Sequence, residues 1–130
     1  MELARKAGMP ANIVDTYAEF IEHMVIQLQV GDTLGKEHEH KCSIPQGCPF
    51  SMAMVALLLK PWINMMRQHG IEPRTLADDL FMFAAGEGHA KKMIDAMELS
   101  REKIKSIGAK VADKKCFVSS TCQNTRKQWR

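Results

Sequence analysis

The acidic pair Asp78-Asp79 carries the most chemistry in the sequence, because it lies inside the apolar run Leu76-Ala77-Asp78-Asp79-Leu80-Phe81-Met82-Phe83. Adjacent acids in a strand point to opposite faces, whereas at a tight turn both project from the rim. Burying such a pair without a cation is costly, since like charges repel and carboxylates lose their hydration. The pair is therefore a candidate site for a hard divalent ion, with Mg²⁺ held by one or two carboxylates plus substrate phosphates. The competing reading of an Asp-Asp dipeptide is a solvated turn or a helix N-cap, neither of which implies chemistry.

A second group of potential ligands is His38, His40, Cys42 and Cys48. The four cysteines, at 42, 48, 116 and 122, form two close pairs spaced C-x5-C. That spacing is neither the C-x2-C zinc pattern nor a thioredoxin-like C-x-x-C. Free thiols and a polar hairpin tip are the expectation here. The ten methionines are expected as core filler.

These residues need elements to position them. Ile13, Val14, Tyr17, Phe20, Ile21, Met24, Val25 and Leu28 recur at three- and four-residue steps, which predicts an amphipathic helix. Pro10 suits its first turn. Gly31-Asp32 and Gly35 break the pattern, and Lys36 to Lys41, all charge and histidine, reads as a solvated loop or hairpin tip. In Ser43-Ile44-Pro45-Gln46-Gly47-Cys48-Pro49-Phe50-Ser51, two prolines and a glycine forbid a regular helix or central strand. A helix is then predicted to about Gln68, with Met52, Val55, Ala56, Leu59, Ile63 and Met66 on its inner side. Pro61 should kink or interrupt it, and His69-Gly70 should end it. Arg74 to Ala85 predicts a β-hairpin turning at the acids. A third helix follows from Gly88 to Ile107, with Met93, Ile94, Met97, Ile104 and Ile107 inward and Gly108 as its C′ residue. Ala109-Lys110-Val111 and Cys116-Phe117-Val118 are strand candidates, and the basic tail Thr125 to Arg130 is expected to fray. The order of elements predicts an α+β domain with antiparallel pairing.

At 130 residues, 45% hydrophobic and 25% charged, the chain has the composition of one globular domain and not of a disordered one. A net charge of +3 permits a polyanionic partner without demanding one. No apolar run approaches the roughly 18 residues of a membrane span, and Met1-Glu2-Leu3-Ala4-Arg5-Lys6 has no apolar h-region, so neither a membrane nor secretion is expected.

Three segments in order resemble the reverse transcriptase family over about residues 8 to 120. Pro45-Gln46-Gly47-Cys48-Pro49-Phe50-Ser51 resembles the family's motif B. Leu76-Ala77-Asp78-Asp79 resembles motif C, with Leu76 in place of the usual aromatic residue. Gly108-Ala109-Lys110-Val111-Ala112-Asp113-Lys114-Lys115 resembles motif D, with Lys115 at the family's lysine and Ala112 where Asn is common. The pattern is most similar to non-LTR retrotransposon polymerases and next to group II intron enzymes.

The resemblance implies a partial polymerase palm, a ferredoxin-like or RRM-like antiparallel sheet with packed helices. Residues 8–30 would be the helix after motif A, 43–68 the motif B loop and helix, 74–85 the motif C hairpin, and 88–120 the motif D helix and strands. It implies template-directed nucleotidyl transfer by two metals, Mg²⁺ or Mn²⁺, in the intact enzyme. Asp78 would be a direct metal ligand, and Asp79 a second ligand or a support for the hairpin. Gln46 and Gly47 would lie against the incoming nucleotide and the template, Gly47 by allowing close backbone approach. Pro45 and Pro49 would stiffen the loop. Ser51 would cap the following helix or touch the ligand. Lys115 would neutralise or protonate the leaving pyrophosphate, or else be a solvated strand-edge lysine. The implied partners are an RNA template, a DNA primer, deoxynucleoside triphosphates and the remainder of the parent polymerase. Analogy with retroelements implies an intracellular location, cytoplasmic or nuclear.

Motif A, which bears the family's first catalytic carboxylate, has no match in residues 1 to 43. The candidates there are Asp15, within the first helix, and Asp32, beside a glycine turn. The palm would then lack the motif A strand, and the chain alone is expected not to polymerise. The alternative is a decayed retroelement palm that binds nucleic acid without catalysis. Lys91, Lys92, Lys103, Lys105, Lys110, Lys114, Lys115, Arg126, Lys127 and Arg130 could touch phosphates, although Asp95, Glu98 and Glu102 interleave with the lysines as on a solvated helix face.

Overall fold

The computed structural model describes residues 1–39, 44–45 and 47–129. The architecture is α+β, with helices and, among the described residues, three separate two-stranded antiparallel sheets. The chain divides into two compact units, Met1–Leu59 and Lys60–Arg130.

In the first unit, α1 (Glu2–Lys6) precedes α2 (Ala11–Glu22). No sequence periodicity announces α1. It is held by the burial of Ala4, a Lys6–Glu2 ion pair of 2.6 Å one helical turn apart, and an ion pair from Arg5 to Asp15 of α2. Val14 and Tyr17 of α2 are buried against Ala4 and Met54. The helix predicted to run to Leu28 ends at Glu22, with His23 as its C-cap. Beyond it, β1 (Val25–Ile26) pairs with β4 (His38–Glu39), and β2 (Gln29–Val30) pairs with β3 (Thr33–Leu34). The apolar spacing of 24–28 fits a helix, but a tight turn overrides it. Gly31 at φ +60° and Asp32 form a two-residue loop with positive φ at its first central position, as in a type II′ hairpin turn. β-Branched Val25, Ile26 and Val30 favour the strand alternative. His38-Glu39, expected in a loop, is a strand for the same reason of pairing, and both residues are exposed.

Helix α3 (Ser51–Gln68) begins in the first unit and ends in the second. Pro61 does not interrupt it, although it removes one backbone donor. Its buried residues are Met54, Leu59, Trp62 and Met66, whereas Met52 is exposed and Val55 and Ile63 are half-buried. The buried residues share Leu59 and Met66 with the predicted face and replace Met52, Val55, Ala56 and Ile63 by Met54 and Trp62. Met52 to Leu59 is apolar on every side, so periodicity selects no face there. The helix stops before Gly70, whose φ of +70° suits glycine.

In the second unit, β5 (Glu72–Leu76) and β6 (Asp79–Phe83) form the predicted hairpin. Leu80 and Met82 pack on a core of Trp62, Met66, Ile71 and Ala96. Helix α4 (His89–Ser106) lies between Gly88 and Gly108, both with positive φ. Its buried residues are Ala96, Ser100 and Ile104. Ile94, Met97 and Ile107, predicted inward, are 45%, 40% and 37% exposed. The small Ala96 and Ser100 let the α4 backbone approach the core, which turns the bulkier neighbours outward. Neither 109–111 nor 116–118 forms a strand. A 3₁₀ turn, η1 (Asp113–Lys115), lies between them, and no described residue pairs with either segment. The tail is helical, α5 (Gln123–Gln128), where fraying was expected. Thr125 is 5% exposed and shares a 3.0 Å hydrogen bond with His89 Nε2, and Arg126 donates to the carbonyls of Ser120 (3.0 Å) and Thr121 (3.3 Å). Arg130 lies outside the described residues. Among the described residues, no helix is long and apolar enough to cross a membrane.

Met66 has no exposed surface, so Met66→Ala should cost about 2–5 kcal/mol of unfolding free energy. Ile94→Ala should cost under about 1 kcal/mol. Denaturant titration of the two variants checks that Met66 of α3 belongs to the core and Ile94 of α4 does not.

Candidate functional site

The acids stand at the tip of the β5–β6 hairpin. Leu76 faces Asp79 across the ladder, and Ala77 and Asp78 form the loop between them. Strand alternation puts Pro73, Thr75, Leu80 and Met82 on one face and Glu72, Arg74, Leu76, Asp79, Phe81 and Phe83 on the other. Leu80 and Met82 are the half-buried members that hold the hairpin to the core, while Leu76, Phe81 and Phe83 remain 68%, 44% and 57% exposed. Asp78 and Asp79 are both exposed, so their mutual repulsion is screened by water. The turn itself is strained. Ala77 has φ +52°, a left-handed conformation that costs a residue with a Cβ about 1 kcal/mol.

Lys115 is an exposed residue at the end of η1. Arg101 and Asp113 pair at 2.8 Å beside it, and among the described residues Lys115 forms no ion pair with Asp78 or Asp79.

The proline-rich loop belongs to the first unit. Gly47 has φ +79°, and a Cβ there would meet nothing within 4 Å. This glycine is required by backbone conformation within the loop, not by crowding inside the chain. The Ser51 hydroxyl donates to the Pro45 carbonyl, and the Ser51 N–H donates to the Cys48 carbonyl at 3.0 Å. Ser51 thus closes the loop onto the start of α3, a role that differs from the expected N-cap. Pro49 is exposed and Pro45 half-buried. Gln46 and Ser43 lie outside the described residues, as do His40 and Cys42.

Tyr17 of α2 pins this loop. Its ring packs on Phe50 at a centroid distance of 5.3 Å, and its hydroxyl accepts from the Cys48 thiol at 3.7 Å. Desolvation pushes the Cys48 thiol up, but hydrogen bonds from the Phe50 backbone, the Tyr17 and Ser51 hydroxyls and the Ser51 backbone outweigh it and bring it below the ordinary thiol range. Desolvation, the hydrogen bond with Cys48 and the thiolate charge raise Tyr17. Both directions follow if the phenol turns to donate to the thiolate once it forms. Cys122 is also lowered, chiefly by hydrogen bonds from Thr125. Cys48, Cys116 and Cys122 are free thiols.

As a metal donor set, Asp78 and Asp79 supply the hard oxygen atoms that Mg²⁺ prefers. Among the described residues, no third histidine, cysteine or acid joins them in a metal-holding cluster. Asp15 is ion-paired to Arg5, and Asp32 lies in the β2–β3 turn.

A sequence model of the reverse transcriptase (RNA-dependent DNA polymerase) family matches residues 5–128. The chain belongs to the reverse transcriptase family. The matched range contains both the proline-rich loop and the acidic hairpin of this reverse transcriptase domain. No curated protein and no solved structure matches the chain. No motif marks Trp62 or Ser100, although Met54, Leu58, Trp62 and Met66 recur at the four-residue steps of one helical row.

Replacing Ala77 by glycine should relieve the turn and raise stability by about 0.5–1 kcal/mol, while Ala77→Val should lower it by more than about 1 kcal/mol. Thermal melts of the two variants check the strain. For Cys48, alkylation by iodoacetamide should reach half its limiting rate at a pH below that of an ordinary thiol. Tyr17→Phe removes a hydrogen bond to the thiolate and should move that pH upward.

Proposed function

We propose that the chain is the motif B to D part of an RNA-directed DNA polymerase palm, with Asp78 and Asp79 as its contribution to the metal site. The single observation that carries this reading is the exposed acidic pair at the tip of an apolar hairpin, within a chain of this family. In the intact enzyme, Mg²⁺ or Mn²⁺ would supply activation of the primer 3′-oxygen and stabilisation of the leaving pyrophosphate. Asp78, in the loop, would be the direct ligand. Asp79, paired across the ladder to Leu76, would be a second ligand or the anchor of the turn. Gln46 and Gly47 would contact the nucleotide and template, with Pro45, Pro49 and Ser51 holding their loop. Lys115 would meet the pyrophosphate as a charge partner or proton donor. The RNA template, DNA primer and deoxynucleoside triphosphates are the partners this reading requires, and the retroelement origin belongs to it as well.

The chain by itself is proposed to be inactive. In-line displacement needs carboxylates that hold both ions, and a site one ligand cluster short cannot hold that geometry. The placement of Asp15 and Asp32 supports this, since one is engaged by Arg5 and the other sits in a hairpin turn. A non-catalytic nucleic-acid binder is less favoured, because Arg126, one of its candidate phosphate contacts, is turned onto backbone carbonyls and acids interleave with the lysines of α4.

Two measurements test the reading. Mn²⁺ should broaden the amide signals of Asp78 and Asp79, and Asp78→Asn should abolish the effect; no broadening in the wild-type chain would overturn the metal assignment. Primer extension on an RNA template with Mg²⁺ and deoxynucleotides should give no product. Extension that Asp78→Ala abolishes would overturn the proposed inactivity, and salt-dependent primer–template binding without broadening would favour the binding module instead.

A further inference from the structure

Ser100 is a polar residue in the apolar core of the second unit. It is 8% exposed on α4, between Ala96 and Ile104 on the same helix face. A serine inside a helix commonly bonds back to the preceding turn. This one does not. Its Oγ accepts the indole N–H of Trp62 at 2.8 Å and lies 3.3 Å from Met82 Sδ and 3.5 Å from Met66 Sδ. The hydroxyl has one proton. With a lone pair occupied by Trp62, that proton is directed at the two thioethers, and Met82 is the nearer. Among the described residues, the Ser100–Met82 bond is the one side-chain hydrogen bond that ties the β5–β6 hairpin to a helix. Met82 stands three residues beyond Asp79 on the same strand. The other ties are apolar contacts of Leu80, Met82 and Ala84, which hold the hairpin without fixing its direction.

We propose that Ser100 is a positioning residue for the acidic tip: held by Trp62, its hydroxyl donates to Met82 and fixes β6 against α4, and thereby where the Asp78 and Asp79 carboxylates stand. This rests on the reading of the two acids as metal ligands. Ser100 touches neither acid and acts through the strand. Alanine at 100 would also leave the Trp62 N–H without its acceptor in the core.

The test compares Met82→Leu, which removes one sulfur at nearly constant volume, with Met66→Leu, which removes the other. Hydrogen exchange is followed by NMR on the full chain. Met82→Leu should speed exchange of the β6 amides about fivefold, as loss of one hydrogen bond predicts, and leave the α4 amides unchanged. Met66→Leu should leave β6 unchanged. Ser100→Ala should act as Met82→Leu does on β6, and the double variant should exchange no faster there than Ser100→Ala. If Ser100→Ala does not fold, the two methionine variants decide. Equal effects of these two, or parallel acceleration of β6 and α4, would overturn the proposal. As a second readout, Met82→Leu should weaken Mn²⁺ broadening at Asp78 and Asp79 while Met66→Leu should not. If the wild-type chain shows no broadening, the metal reading fails, and the exchange data alone decide the anchor.

Discussion

A two-stranded hairpin has too few contacts to persist alone in water, and β5–β6 persists because one of its faces is buried. Leu80 and Met82 are pressed onto Trp62, Met66 and Ala96. Every other property of the acidic tip depends on that contact. The register pairs Leu76 with Asp79 and leaves Ala77 and Asp78 as the loop. A slip of one residue would turn Leu80 and Met82 to water and bring Asp79 and Phe81 to the core, so the apolar contact and the position of the acids are set together.

The tip is built at a local cost. Ala77 is held in a left-handed conformation that glycine would accept more easily. Strain of this kind survives only where the surroundings over-determine it, and it concentrates at functional turns. Here the single ladder of five pairs that the loop closes supplies the constraint. The two carboxylates remain in water, where their repulsion is small.

The proline-rich loop reaches a defined shape by a different route. It has no ladder. Gly47 supplies a positive φ, the Ser51 hydroxyl reaches back to Pro45, and Tyr17 holds Phe50 and Cys48 from a separate helix. Desolvation first and the Cys48 contact second raise the Tyr17 phenol, while against its own desolvation the Cys48 thiol is brought down by the Phe50 backbone first and the Tyr17 hydroxyl second. A residue that no motif names, Tyr17, therefore orders the segment whose motif names the family.

The sequence alone determined the α+β class, the proline-rich loop, the hairpin turning at its acids, and the ends of α3 and α4 at glycine. These are local properties: proline and glycine act through their own backbone, and two-residue loops through the residues in them. The family could be read from the same motifs because they are contiguous. Only the tertiary structure decided which helical faces are inner. Met52 to Leu59 is apolar all round, and on α4 the small Ala96 and Ser100 admit close packing while Ile94 and Met97 turn outward. Tertiary structure also decided that 25–39 pairs as strands, that 109–118 does not, and that the tail forms α5 beside His89. A strand exists only through its partner, and the Ser100 hydrogen bonds join residues 38 and 18 positions apart. Neither kind of contact is encoded in any one stretch of sequence.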